Sequence, residues 1–139
     1  MNLKFISENN KNILIASFGA FLCMFLIAYL NLIDKTNIWL IPPFGASLVL
    51  VMAVHDSPLA KPRNVFFGHV LSASSGVLMF YFLGESPLSI SLGLSLAIML
   101  MLVTKTIHPP AGANPVIACL LYTSPSPRDQ RGSRMPSSG

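Results

Sequence analysis

Residues 41–47 read IPPFGAS and interrupt the apolar run Ile38–Val54. Proline fixes φ and lacks an N–H, so it starts a helix readily but cannot sit in the middle of one. Only 12 residues, Pro43–Val54, remain for a continuous helix. At 1.5 Å per residue this helix is about 18 Å long, whereas a bilayer core is about 30 Å thick. We therefore predict a half-helix with an extended lead-in, covered by other protein segments because irregular backbone is not tolerated against lipid.

The composition indicates that lipid surrounds much of the chain. Of 139 residues, 53% are hydrophobic and only 10% are charged, against about 25% charged in soluble domains. The formal net charge of +4 comes with no run of basic residues, so no nucleic-acid partner is predicted.

Four apolar segments predict an all-α, polytopic transmembrane helical bundle. The stub of a fifth segment follows His108, and the segments are Ile13–Ile33, Ile38–Val54, Val65–Leu83 and Leu88–Thr104. The first is too long for the core of a signal peptide and is interpreted as a retained anchor. Cationic residues flank alternate segments, and the positive-inside rule then predicts a cytoplasmic N-terminus, with the 55–64 loop and residues 105–110 on the same side.

The Pro-Pro motif occurs twice. Residues 108–114 read HPPAGAN and share Pro-Pro-x-Gly-Ala, followed by a small polar residue, with the first copy. The predicted topology has an odd number of crossings between the copies, so they enter the membrane from opposite faces. This pattern is typical of an inverted repeat whose broken helices meet near the bilayer midplane.

Each copy is a candidate anion-binding segment. Gly and Ala allow a close approach of backbone or ligand, and the free N–H groups of a helix N-terminus favour an anion. Alternatively, each copy is only a helix start with a tight helix contact, and both interpretations stay open. The candidate binding residues are Pro43, Gly45, Ala46, Ser47, His108, Pro110, Gly112, Ala113 and Asn114.

Three polar residues of the third segment are candidates for gating or for a polar lining. His69 lies about one turn into the segment, where an ionisable group suggests function, although an interfacial position explains it almost as well. Ser72 and Ser75 belong to a run of small residues for which close helix packing is the favoured interpretation. His108, at the membrane edge, is expected to gate, to titrate or to cap.

Nothing in the sequence indicates catalysis. It contains no nucleophile–base pair, phosphate-binding loop, metal-ligand cluster or pair of carboxylates, and its two cysteines do not suggest a disulfide framework. We therefore predict neither an enzyme nor a cofactor nor a metal site.

Three stretches resemble the HPP family of integral membrane proteins: PPFGAS (Pro42–Ser47), SPLAKPRNVFFGH (Ser57–His69) and HPPAGANP (His108–Pro115). Lys61 and Phe67 depart from the usual family pattern. The family is described from bacteria and chloroplasts, and some members are implicated in nitrite transport. The resemblance thus implies a bacterial inner membrane and a small-anion, nitrite-like, transporter or channel. The expected partners are lipid and a small inorganic anion, and homo-oligomers are allowed. A non-transporting membrane scaffold or sensor is the alternative.

The C-terminal residues have a different character. Cys119–Asp129 (CLLYTSPSPRD) resembles a translated sequencing-library adapter. We therefore divide the chain into a polar N-terminal segment (1–12), an incomplete transmembrane domain (13–118) and a non-native tail (119–139). The Pro-, Ser- and Arg-rich tail is predicted to be disordered.

Overall fold

The structure is a computed structural model that describes residues 10–34 and 41–123. These residues form α-helices joined by turns and two short 3-10 helices. The helices are α1 (Asn10–Asp34), α2 (Pro42–Ala53), α3 (Pro62–Leu83), α4 (Pro87–Val103) and α5 (Asn114–Thr123), and the 3-10 helices are Pro58–Ala60 and Pro109–Ala113.

The predicted half-helix is present as α2. It has 12 residues and begins at the two prolines, after Ile41 in an extended conformation. Proline at the first two positions leaves no helical hydrogen bond unmade, which explains why the helix starts there. The preceding residues 35–40, which include the predicted first loop and the rest of the lead-in, lie outside the described residues.

Two of the described helices are long and apolar enough to cross a membrane: residues Lys11–Ile33 within α1, and α3. The other two predicted segments correspond to shorter apolar helices, α2 with 12 residues and α4 with 17. The all-helical bundle is therefore confirmed, whereas four full crossings are only loosely supported.

The helix α3 buries small and polar side chains and exposes apolar ones, which is the reverse of a helix in a soluble protein. Its buried residues are small or polar: Asn64, Gly68, Ser72, Ser75 and Gly76. They recur mostly at four-residue spacing and so share one helical face. The opposite face exposes large apolar side chains, such as Phe66, Val70 and Tyr81, which are 46–80% exposed. A surface of this kind suits contact with lipid, where apolar exposure has no cost and buried polar groups need internal partners.

Small residues allow α3, α4 and α5 to approach closely. A Cβ added at Gly76 would come within 2.5 Å of Pro115 Cα, and one at Gly93 within 3.4 Å of Gly76 Cα. Across the same contact, Ser75 Oγ donates a hydrogen bond to the Gly93 carbonyl at 3.0 Å. The packing interpretation of the small-residue run therefore agrees with the structure.

The C-terminal helix requires a correction. Disorder was predicted from residue 119, but α5 continues to Thr123 and Cys119 is fully buried. Its Sγ lies 3.8 Å from the Gly76 carbonyl, so Cys119 packs this part of the helix against α3. Residues 124–139 lie outside the described residues, and the non-native origin of 119–139 stays a prediction.

Candidate functional site

Four polar side chains from separate parts of the sequence meet inside the bundle. We call Ser47, His69, His108 and Asn114 the histidine cluster. Ser47 lies on α2, His69 on α3, and His108 and Asn114 flank the 3-10 helix Pro109–Ala113. Because Ser47 belongs to the first Pro-Pro motif and His108 and Asn114 to the second, the cluster joins the two motifs.

Ser47 is the centre of the cluster. Its Oγ lies 2.9 Å from His69 Nε2 and 2.9 Å from His108 Nε2. The two imidazole rings are 5.1 Å apart between centroids. A hydroxyl has one hydrogen to donate and two lone pairs to accept, so Ser47 donates to one ring and accepts from the other.

The outer contacts decide which ring donates to Ser47. His108 Nδ1 lies 3.0 Å from the Leu59 carbonyl, which only accepts, so Nδ1 carries a proton and, in the neutral ring, Nε2 is an acceptor. At the other end, Asn114 Nδ2 lies 3.1 Å from the His69 carbonyl, which fixes the amide orientation. The same amide nitrogen lies 2.9 Å from His69 Nδ1, which must accept, and His69 Nε2 therefore carries the proton.

These contacts form one hydrogen-bond chain with a single direction. Asn114 donates to His69, His69 to Ser47, Ser47 to His108, and His108 to the Leu59 carbonyl. When both rings are neutral, this arrangement requires them to be opposite tautomers. Hydrogen bonds aligned in this way polarise one another, and in a low-dielectric interior the arrangement is rigid.

Burial isolates the cluster from solvent. His108 is fully buried, and Ser47 and Asn114 are less than a tenth exposed. His69 is half-buried and borders an open groove lined by apolar side chains of α2 and α3. The edge of the Phe44 ring also packs on His69, with 6.3 Å between ring centroids. Access to the cluster therefore runs past His69.

The loop that delivers His108 is held by an amide. Asn64 Nδ2 donates to the Pro58 and Ile107 carbonyls, each at 3.1 Å. The Asn64 side chain thus connects two loops. Nearby, Arg63 Nη2 donates to the Thr104 carbonyl at 3.3 Å. The 55–64 loop and residues 104–107 thus lie together, as expected if both are on one side of the membrane.

Gly68 allows His108 to reach its position. A Cβ at residue 68 would lie 2.8 Å from His108 Cβ and 3.2 Å from the Thr106 carbonyl oxygen. Sequence reasoning missed Gly68, and it missed the Leu59 carbonyl because a backbone acceptor leaves no sequence signal. The four-residue spacing of Asn64, Gly68 and Ser72 was the available signal for a close contact on this face.

The remaining candidates of the first motif lie around the cluster. Pro43 is fully buried. Gly45 lines a groove between α1 and α2, and a Cβ added there would meet nothing within 4 Å. The close backbone approach expected at Gly45 is therefore absent. Ala46 is exposed and lines a second groove together with Pro110 of the other motif.

The second motif differs from the first in its local structure. Its prolines open a five-residue 3-10 helix, and α5 begins only at Asn114. The two motifs therefore do not present a pair of equivalent α-helical N-termini. Gly112 faces Leu94, whose Cδ1 would lie 3.9 Å from an added Cβ, and Ala113 is half-buried.

Ser72 and Ser75 contact backbone rather than the cluster. Ser72 Oγ donates to the Ala111 carbonyl, and the single hydroxyl hydrogen of Ser75 is shared between the Ser72 carbonyl at 2.7 Å and the Gly93 carbonyl at 3.0 Å. Both side chains are buried. In this structure they connect α3 to its neighbours, and their assignment to gating or to a polar lining stays a prediction. Across the described segments, no three His, Cys, Asp or Glu side chains are grouped so as to hold a metal ion.

Comparison with known proteins places these features in a family. Residues 7–126 match the family described as "HPP, transmembrane region". Over 110 residues the chain is 38% and 40% identical to two transmembrane proteins of Dictyostelium discoideum. The alignments cover 76% of this chain but only 35% and 39% of those relatives, so the chain spans well under half of their length. No solved structure matches the chain. The bacterial membrane and the cytoplasmic N-terminus stay predictions, and the chain belongs to the HPP transmembrane family.

Proposed function

We propose that this chain takes part in moving a small inorganic anion across a membrane, and that the histidine cluster is where the anion binds. The observation that carries the proposal is that both Pro-Pro motifs contribute side chains to one buried polar cluster. Nitrite is the candidate substrate through the family resemblance. In this proposal the motifs are the equivalent parts of an inverted repeat, and lipid and the anion are the partners.

The energetics favour a functional role for the cluster. Polar and ionisable groups at membrane depth are costly and usually mark a pathway or a binding site. Helix packing in lipid needs only small residues and a few hydroxyls, which the contacts of α3 with α4 and α5 already supply. Two imidazoles and an amide at one point exceed that need.

The chemistry of the cluster suits an anion rather than a cation. Its side chains carry N–H and O–H groups, and within residues 41–120 no carboxylate contacts either ring. The acidic residues of that range, Asp56 and Glu85, are exposed, and Asp56 lies 3.5 Å from His55. We assign the binding to the side chains rather than to the helix N-termini, because the second motif opens a short 3-10 helix.

The alternative is a non-transporting scaffold or sensor in which the cluster only joins helices. The observation in its favour is that the hydrogen-bond chain is complete without a ligand. Uptake measurements distinguish the two, since a scaffold has no reason to move an anion.

The test is nitrite and nitrate uptake into liposomes that contain the 139-residue chain, compared with empty vesicles. Ser47→Ala removes the central hydroxyl, and a hydrogen bond from such a hydroxyl to a charged anion is worth about 1.5–3 kcal/mol. Since about 1.4 kcal/mol corresponds to tenfold in rate, we expect uptake to fall by about tenfold or more. Ser91→Ala is the matched control, because Ser91 is exposed and its hydroxyl bonds only within α4, to the Pro87 carbonyl. Uptake no greater than in empty vesicles, or equal uptake by the Ser47→Ala and Ser91→Ala variants, would refute the proposal.

A further inference from the structure

We propose that the histidine cluster binds its anion only together with one proton, so that the protein moves the two as a pair. This inference rests on the function proposed above and deepens it. It follows from the direction of the hydrogen-bond chain and from the absence, within residues 41–120, of a carboxylate in contact with either ring.

The neutral cluster has no donor to offer. The Ser47 hydroxyl proton points to His108 Nε2, the His69 Nε2 proton to Ser47, and the His108 Nδ1 proton to Leu59. Both hydrogens of the Asn114 amide are directed to His69. An anion that approaches this arrangement meets donors that are already occupied, and it would have to break a buried hydrogen bond.

One added proton changes this arrangement at a single atom. Two ring nitrogens face Ser47, and in the neutral cluster His69 Nε2 carries a proton whereas His108 Nε2 presents a lone pair. When a proton from hydronium forms an N–H bond there, His108 becomes a cation and Nε2 turns from acceptor to donor. Ser47 Oγ then accepts from both rings through its two lone pairs. The O–H bond that held this proton in hydronium breaks and leaves water, the hydrogen bond from Ser47 to His108 is given up, and the Ser47 hydroxyl proton rotates away from His108 and becomes free to donate.

The protonated cluster therefore presents what an anion needs. It combines a positive charge with a free hydroxyl donor at Ser47, next to the half-buried edge of His69. In the reverse direction, loss of the proton returns the Ser47 hydroxyl to His108 and withdraws the donor from the anion.

The balance of charges in the buried cluster requires the anion and the proton to bind together. A buried cation or a buried anion without a partner is costly, whereas the pair is neutral. The elements packed around the two rings offer no substitute charge. α2 contributes Ser47 and Phe44, the 55–64 loop contributes the Leu59 carbonyl, and α5 contributes Asn114. Among residues 41–120, each ring therefore faces only the other as a titratable group. The charged side chains of residues 41–120 are exposed, and none forms a hydrogen bond or ion pair with either ring: Asp56, Lys61, Arg63, Glu85 and Lys105.

The stoichiometry is measured in liposomes that contain the 139-residue chain and a pH-sensitive dye in the lumen. Nitrate is the probe, because its conjugate acid is fully dissociated near neutral pH and cannot carry protons across lipid unaided. With the membrane potential clamped at zero by potassium and its ionophore, we expect an inward proton gradient to drive nitrate uptake, with one proton entering per nitrate. A change in the clamped potential is expected to leave the uptake rate unchanged, because the pair is neutral.

The outcomes separate this inference from the function on which it rests. Nitrate or nitrite uptake that follows the membrane potential and leaves the luminal pH unchanged overturns the coupling but keeps the transport function. No uptake of either anion above empty vesicles overturns both. The variant His55→Gln is the control, because His55 is exposed in the 55–64 loop. We expect this variant to keep the ratio of one proton per anion.

A second measurement tests the chain itself without any transport. In the ¹⁵N spectrum of histidine-labelled protein in lipid at alkaline pH, we expect one buried ring to carry its proton on Nε2 and the other on Nδ1. His69→Gln and His108→Gln assign the two signals. The same tautomer on both rings would overturn the proposed direction and, with it, the proton-dependent release of the Ser47 donor.

Discussion

Substituting Gly68 by alanine tests whether α3 positions the histidine cluster. An alanine Cβ at this site would lie 2.8 Å from His108 Cβ, 3.2 Å from the Thr106 carbonyl oxygen and 3.6 Å from Ala111 Cβ. Carbon atoms are ordinarily separated by about 3.5–4.0 Å, so the first contact is too short by roughly 1 Å. His108 Cβ is bound directly to the backbone and cannot swing aside, so the loop that carries His108 must move.

The loss of stability caused by this short contact can be separated from other effects of a glycine-to-alanine substitution by comparison with a second glycine. Overpacking of a close contact costs about 1–3 kcal/mol. Replacing a glycine inside a helix by alanine also gains about 0.5–1 kcal/mol, because the unfolded chain is less free. We expect the substitution Gly45→Ala in α2 to gain the same stability, but the Cβ added there meets nothing within 4 Å. The difference in stability between Gly68→Ala and Gly45→Ala therefore isolates the contact, and we expect Gly68→Ala to be less stable by about 1–3 kcal/mol.

Cys119 provides the assay. Its side chain is fully buried, so a thiol-reactive dye labels it only when the bundle opens. Heating both variants in a Cys23→Ser background, with the dye present, gives the temperature at which each one opens. If Gly68→Ala protects Cys119 to the same temperature as Gly45→Ala, or to a higher one, the close contact between α3 and His108 is wrong.

Two further substitutions examine the surrounding structure. Asn64→Leu keeps the approximate side-chain volume but leaves the Pro58 and Ile107 carbonyls without their donor. We therefore expect a loss of stability of about 1–3 kcal/mol in the same thiol assay. Stability equal to that of the unmodified chain would contradict the connection between the two loops. Ser75→Ala removes the hydrogen bond to Gly93, and we expect a loss of about 0.5–1.5 kcal/mol with anion uptake per folded protein unchanged. A selective loss of uptake in Ser75→Ala, with Ser91→Ala unaffected, would instead indicate that Ser75 lines the pathway.

Several features of the fold followed from local rules. The prolines at 42–43 alone determine where α2 starts, because proline is compatible with the first turn of a helix and with no later one. The low charge and the apolar runs predicted an all-helical membrane protein. In contrast, disorder predicted from residue 119 was wrong for Cys119–Thr123, since an apolar stretch next to an ordered helix can extend it by packing against α3.

The candidate site was predictable only in part. Ser47, His108 and Asn114 were selected because they occupy equivalent places in the repeated motif, and His69 because an imidazole in an apolar segment is unusual. Gly45 was selected by the same repeat, yet it lies in the groove between α1 and α2 rather than at the cluster. A motif gives the order of residues along the chain, and it does not state which side of a helix faces which neighbour.

The sequence by itself determined the class of the protein, the start of α2 and the residue types available for a site, because these depend on composition and on local backbone chemistry. Only the tertiary structure brought Ser47 within 2.9 Å of two imidazoles that lie 22 and 61 residues away along the chain. It also determined the direction of the hydrogen-bond chain, since that direction depends on the Leu59 and His69 carbonyls. Every residue carries such a carbonyl, and only the fold decides which one a side chain meets.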